Sequence, residues 1–408
     1  MSKKKLLFVG PWPPPFGGIA SHLYELLPGI VDLGYEVITL SYTTEEDEFH
    51  KMEKGIRNIY FSPSSFFKKN IVSCMIRIFQ GLNHRIGLCF KRYSRAISIS
   101  ERINRIIIEE NISYVFTYDN DQVHVLPYIK KDKLSGLFCT IYGAFFLTPE
   151  IYRPEKPFLR HAIGFADKIL SCSMYCAASG KEFLQMDYPI KVIYNNVDKE
   201  VYHPSNNGTA IRNKHNIPNN AIVLMTMGRV GVDMGVDFLL RNIDRLTSID
   251  PRLIIFIVGA KAELCDMVEE LAKNNQQVRY AFNIDFEDKP YYFASCDIFT
   301  APTKDKHACM GIANIEAMMS GKAVISSTSG GHPETIEDNV SGILVPFRDG
   351  KINEDIFIEK LNSLVKDDKF RNEFGKSGRE RALRLFTNEQ IVQEHIDLIN
   401  EFPSKENR

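Results

Sequence analysis

The stretch at 301–336, APTKDKHACMGIANIEAMMSGKAVISSTSGGHPETI, decides how the rest of the chain is read. Lys304, Asp305 and Lys306 read as exposed loop, while Gly311 to Met319 carries helix formers with an apolar stripe at Ile312, Ile315, Ala317 and Met319. Ser320-Gly321 supplies a stop, 323–326 is a short β-prone run, and Gly330-Gly331 marks a turn after it. Two features converge: the amino end of a helix, whose first N–H groups face outward, and a glycine pair flush after a strand. That combination holds an anionic group without a metal.

Glu316 lies about a turn beyond Gly311, and helical side chains lean back toward the amino end, so its carboxylate can reach whatever the helix end binds. Beside a helix-bound phosphate, a carboxylate accepting from a sugar diol would be one half of a nucleotide site. A surface glutamate near a favourable dipole end is the equal alternative.

The chain has 408 residues, which suggests two domains. Its 44% apolar and 25% charged content is that of a soluble globular protein. Lys plus Arg (50) balances Asp plus Glu (51), so no global field argues for nucleic acid. Eight cysteines are scattered at 74, 89, 139, 172, 176, 265, 296 and 309 without a CxxC pair. This fits a reducing cytoplasm, with neither a disulfide framework nor a zinc site expected. The opening MSKKKLLFVGPWPPP has an apolar run only from Leu6 to Val9, so it reads as a first strand, not a signal peptide. No apolar run of about 20 residues is present to span a bilayer.

After that strand and the PWPPP turn, Phe16-Gly17-Gly18-Ile19-Ala20-Ser21 opens a helix to about Leu33, and 36–42 is a second strand. A strand, glycine loop, helix and strand imply a buried parallel sheet, and the absence of GxGxxG argues against a nicotinamide site. The glycines either admit a ligand or merely make the turn. From 64 to 105 many Lys and Arg interleave with Phe, Ile, Met and Leu against a single acid, Glu101. Such a segment suits an anionic membrane surface, or is a helix pair with a solvated basic face. Strands and helices then alternate to a polar, irregular boundary at 198–207, and the rhythm restarts. Two open sheets leave a cleft between strand carboxyl ends, where α/β ligands bind.

Several pieces in this order resemble glycosyltransferase family 4, retaining enzymes of the two-domain GT-B fold. They are Pro15-Phe16-Gly17-Gly18 with His22 and Leu23; Tyr194-Asn195-Asn196-Val197-Asp198; Gly228-Arg229 with Gly235-Val236-Asp237; and Ser295-Cys296-Asp297, Pro302, Gly311, Glu316-Ala317-Met318, Gly330-Gly331 and Pro333-Glu334. The resemblance implies an α/β architecture of two Rossmann-like parallel-sheet domains facing a cleft. An acceptor-binding domain would cover 1–200, a nucleotide-sugar-binding domain 201–386, and a helix at 387–408 would cross back to the first. It implies a nucleotide-diphosphate sugar, a UDP-sugar, as donor and a glycan or lipid-linked acceptor, with no cofactor and no metal. Donor binding would fall to Gly17, Gly18, Gly228, Arg229, Lys304, His307, Gly311, Ile312, Ala313 and Glu316, and acceptor binding to Gly18, Tyr142 and Gly143, with Arg229, Glu316 and Tyr142 closest to the chemistry.

Three positions depart from the family pattern. Met234 stands where the family has Lys, Ala308 where it has Glu, and Tyr142, in Thr140-Ile141-Tyr142-Gly143, where it has His. Lys304 and Lys306 on the neighbouring loop are candidates for the missing cation, and His307 for the missing acid. The expectation is a cytoplasmic enzyme, peripheral at the inner membrane face, serving bacterial surface polysaccharide or glycoconjugate synthesis. The alternatives are a catalytically weakened relative acting as a sugar-binding or partner subunit, and a sugar-nucleotide epimerase or phosphorylase on the same fold.

Overall fold

The computed structural model describes residues 4–13, 17–42, 48–62, 84–118, 120–143, 153–304 and 308–403. The chain divides into two compact units, Met1–Tyr194 with Asn388–Arg408, and Asn195–Thr387.

In the first unit β1 (Lys5–Val9) is almost wholly apolar because both its faces are covered. It pairs in parallel with β2 (Glu36–Tyr42) on one side and β5 (Tyr114–Tyr118) on the other. Beyond β2 lies β4 (Ile56–Phe61), onto which β3 (Phe49–Glu53) folds back antiparallel. Beyond β5 come β6 (Gly136–Ile141), β7 (Lys168–Ser171) and β8 (Ile190–Val192), all parallel. The order β3-β4-β2-β1-β5-β6-β7-β8 reverses direction at β1 and β5. Their carboxyl ends are therefore the switch point at which an open α/β sheet leaves a crevice.

Alternation along these strands sorts side chains to two layers. Leu7, Val9, Val115, Leu137 and Cys139 share a core with Ile99, Ile103 and Ile106 of the helix His84–Glu110. Phe8, Phe116, Tyr118 and Phe138 face the other way, with Phe8 and Phe116 stacked at 4.7 Å. The helix Asn388–Glu401 belongs to this layer: the His395 ring lies 5.9 Å from Phe116, and the Tyr114 hydroxyl donates to the Phe402 carbonyl at 2.6 Å. It crosses the helix Gly18–Asp32 at Gly29, where any Cβ would come within 2.8 Å of Val392.

Of the basic run at 64–105, residues 63–83 lie outside the described residues, and the rest joins the helix His84–Glu110. Arg92 donates to the buried Glu155 at 2.8 Å, Arg102 donates to Glu48 at 2.7 Å, and the Arg95 guanidinium stands 5.2 Å above the Tyr42 ring. The helix packs on the sheet, as the second alternative had it, but these three cations are engaged within the unit and do not form the solvated basic face that alternative described.

Among the described residues the sheet of the second unit has six parallel strands: β9 (Ile222–Arg229), β10 (Leu253–Ala260), β11 (Val278–Phe282), β12 (Ile298–Ala301), β13 (Ala323–Ser327) and β14 (Ile343–Val345). Their order, β11-β10-β9-β12-β13-β14, reverses between β9 and β12. The helix Ile312–Met319 follows β12, so the stretch at 301–336 hangs from this unit's switch point.

Candidate functional site

At the switch point of the second unit, β9 emerges from the core after Thr226, leaving Gly228 half-buried and the Arg229 side chain 61% exposed. The Arg229 guanidinium pairs with Asp233 on the following loop. Gly235 closes this loop at φ +76°, and a Cβ there would stand 1.7 Å from the Pro302 carbonyl oxygen, so only glycine fits. This close crossing ties the loop after β9 to the exit of β12. The Lys304 N–H donates to the Asp233 carbonyl at 3.0 Å, and its ammonium pairs with Asp237. The other carboxylate oxygen of Asp237, Oδ1, is buried with no hydrogen-bond partner among the described residues. Met234 lays its thioether over Gly228, with Sδ 3.5 Å from the position a Cβ would take. Gly228, Arg229 and Lys304 thus come together through Asp233 and Asp237, and Met234 brings no charge there. His307 and Lys306 lie outside the described residues.

The helix Ile312–Met319 begins at Gly311, at φ +74° and without a side-chain cap. The N–H groups of Ile312 and Ala313 precede the intrahelical ladder and are the outward donors expected of a helix amino end. A Cβ on Gly311 would lie 2.7 Å from Cδ2 and 2.8 Å from Nε2 of His332, a residue to which the sequence pattern assigned no role. His332 Nδ1 is 3.1 Å from the Ser327 carbonyl and 3.0 Å from Ser326 Oγ. A carbonyl can only accept, so Nδ1 carries the proton and Nε2, the bare nitrogen, faces Gly311. Burial pushes this imidazole down to about 4, opposed by its bond to Ser327. The glycine pair is flush as expected. A Cβ on Gly330 would stand 2.0 Å from the Ala308 carbonyl oxygen, one on Gly331 2.0 Å from that of Cys309, and the Gly331 N–H donates to Ala308 at 2.8 Å.

Glu316 is 1% exposed. Its Oε1 accepts from the Tyr202 hydroxyl at 3.0 Å and pairs with the Lys289 ammonium. Both partners were invisible to sequence reasoning: Tyr202 is 114 residues away and Lys289 is 27, so no helical or strand spacing links either to the glutamate.

In the first unit, Gly17 and Gly18 are exposed at the uncapped start of the helix Gly18–Asp32, after β1. Gly17 is extended, at φ −148°, and nothing lies within 4 Å of where its Cβ would be, so local packing does not demand glycine there. Tyr142 and Gly143 are buried just after β6. Between them in sheet order, Gly10 approaches β5 so closely that a Cβ would meet the Tyr118 carbonyl oxygen at 2.6 Å. Tyr118 donates its hydroxyl to Nε2 of His395 at 2.6 Å, while His395 Nδ1 donates to the Ile391 carbonyl at 2.8 Å. Burial pushes the Tyr118 phenol up and the His395 imidazole down to about 4.

Two family models match, Glycosyltransferase Family 4 over residues 16–201 and Glycosyl transferases group 1 over 207–381. The alpha-maltose-1-phosphate synthase of Mycolicibacterium smegmatis is 25% identical over 59% of this chain, and the chain spans 64% of that protein's length. An uncharacterized glycosyltransferase of Methanocaldococcus jannaschii is 24% identical over 92% of each chain. Among solved structures, HepE of Anabaena in complex with UDP and glucose superposes with a TM-score of 0.70 at 18% identity, covering 98% of this chain and all of that one.

Proposed function

We propose that this chain, a glycosyltransferase family 4-like protein of the GT-B fold, moves a hexosyl group from a UDP-sugar to a hydroxyl of a glycan or lipid-linked acceptor, with retention at the anomeric carbon and without a metal. One observation carries the reading. At the switch point of the second unit, Arg229 at the end of β9 and Lys304 after β12 are tied together through Asp233, and the uncapped helix start at Gly311 follows β12, with Glu316 a turn further on. Two cations and outward N–H groups suit a diphosphate, and a carboxylate beyond them suits a ribose diol. The uridine of the HepE complex supports uridine as the base.

In the transfer, the bond from the anomeric carbon to the phosphate oxygen breaks and the acceptor oxygen takes its place. The acceptor proton passes to the departing phosphate. Negative charge therefore grows on the diphosphate, where Arg229 and Lys304 offset it. Before the donor arrives, both cations rest on carboxylates, Arg229 on Asp233 and Lys304 on Asp237. The diphosphate replaces those acids as partner. Tyr142 serves as a hydrogen-bond partner to the acceptor and not as its base, since an ordinary phenol titrates near ~10.

A second reading, a sugar-binding relative with weakened turnover, is favoured by the thioether of Met234 over Gly228 and by the methyl of Ala308, both at positions where a charge was expected. Incubation with a panel of nucleotide sugars separates the two. Release of nucleoside diphosphate from one donor, lowered about 10² to 10³-fold in Arg229→Ala, supports the transferase. Calorimetric binding without release supports the second reading, and absence of binding by every donor removes both.

A further inference from the structure

The Glu316 carboxylate is held asymmetrically. Both of its contacts, from the Tyr202 hydroxyl and the Lys289 ammonium, fall on Oε1, and no hydrogen bond or ion pair among the described residues falls on Oε2. Lys289 is itself well fixed: it is the first residue of the helix Lys289–Ser295, Pro290 follows it, and its side chain is 19% exposed. Its ammonium lies 5.2 Å from the centroid of the Phe286 ring and 6.0 Å from that of Tyr202. A carboxylate buried to this degree needs a countercharge, and a single ammonium bound at one oxygen also sets which way the other points.

We infer that Lys289, with Tyr202, is a positioning residue that turns Oε2 of Glu316 toward the vicinal diol of the donor's ribose, and that the choice of ribonucleotide over 2′-deoxyribonucleotide depends on it. The inference rests on the reading of Glu316 as the ribose ligand. A charged acceptor reserved for a ligand hydroxyl discriminates strongly against the analogue that lacks it, because the carboxylate is then left unpaired. Without Lys289 the carboxylate rotates, the hydroxyl finds a poorer partner, and discrimination falls while the remaining nucleotide contacts persist.

The test is calorimetry on the full chain with the tightest binder among UDP, GDP and ADP and its 2′-deoxy counterpart, using wild type, Lys289→Met, Lys289→Arg, Tyr202→Phe and Glu316→Gln. Wild type should prefer the ribonucleotide by about tenfold or more. Lys289→Met should bring the preference to within about twofold while binding of the deoxynucleotide stays within about twofold of wild type. Lys289→Arg should retain the preference, and Tyr202→Phe should lower it only in part. Equal weakening of both nucleotides in Lys289→Met, or an unchanged preference in a variant whose circular dichroism is that of wild type, overturns the role of Lys289 and leaves Glu316 standing. A wild type that does not discriminate, or a Glu316→Gln that discriminates as well as wild type, overturns the ribose reading itself. If none of the three nucleotides binds, both fall.

Discussion

Replacing Gly311 by alanine should damage the proposed donor site through two separable terms. The first is backbone: Gly311 sits at φ +74°, where an L side chain costs about 1–2 kcal/mol. The second is steric: the new methyl would stand 2.7 Å from His332 Cδ2 and 2.9 Å from Asn314 Nδ2, well inside contact distance. Neither neighbour is the loose end of a flexible side chain. Asn314 is buried and donates to Ser326, and the imidazole is pinned by its bonds to Ser326 and Ser327. Moving the ring weakens at least one hydrogen bond worth ~1 kcal/mol, so the whole substitution costs on the order of 3 kcal/mol. For a unit of this size that lowers the melting temperature by about 6–12 °C, read by circular dichroism, and nucleotide affinity should fall as the helix start shifts. Gly311→Ala combined with His332→Ala isolates the steric term. The double variant should be less destabilised than the two single losses predict, by about 1 kcal/mol or more. A single variant that melts with wild type, or a double variant whose losses simply add, refutes this account of the glycine.

Acid should weaken both units by a common cause. His332 and His395 are held near 4 in the fold against ~6.5 unfolded. The unfolded chain thus binds more protons between those values, and stability is whole above about 6.5 and lost as pH falls toward 4, by about 3 kcal/mol per histidine. Urea titrations from pH 7 to 4.5 should show this slope, flattened in His395→Gln. Asp233→Asn frees Arg229 from its carboxylate and should tighten nucleoside diphosphate binding by about two- to fivefold, the small change expected for an exposed pair. Weaker binding in calorimetry would instead make Asp233 part of the site.

Much of the fold was legible because parallel strands buried on both faces write continuous apolar runs, such as 222–225 and 253–258, each followed by glycine at the strand's carboxyl end. The helix at 312–319 was equally plain from its stripe and its stop at Gly321, which takes φ +71°. The hairpin of β3 and β4 was not, since FHKME is charged and exposed on an edge and carries no apolar alternation. Ion pairing was illegible for a different reason. The acids that engage Arg92 and Arg102 lie 63 and 54 residues away in sequence, so the basic run looked unpaired until the chain folded. The same holds at the site, where Arg229, Lys304 and Glu316 could be named but not their partners: Asp233 and Lys289 went unnamed, and the pairing of Asp237 with Lys304 went unread.

The glycines and the charges around the second switch point report different things. Gly235, Gly311, Gly330 and Gly331 are each required because another segment passes where a Cβ would be: Pro302, His332, Ala308 and Cys309 respectively. They are crossings of this unit's own loops, so a protein needs them to build the switch point whether or not it catalyses anything. The proposed chemistry rests on Arg229, Lys304 and Glu316, none of which those crossings demand. At 234 and 308 the side chain carries no charge: Met234 covers Gly228, and Ala308 gives its carbonyl to Gly331. Likeness of motif therefore supports the fold more firmly than it supports turnover. The weight of the functional reading falls on whether Lys304, released from Asp237 by an incoming diphosphate, supplies the charge that Met234 does not.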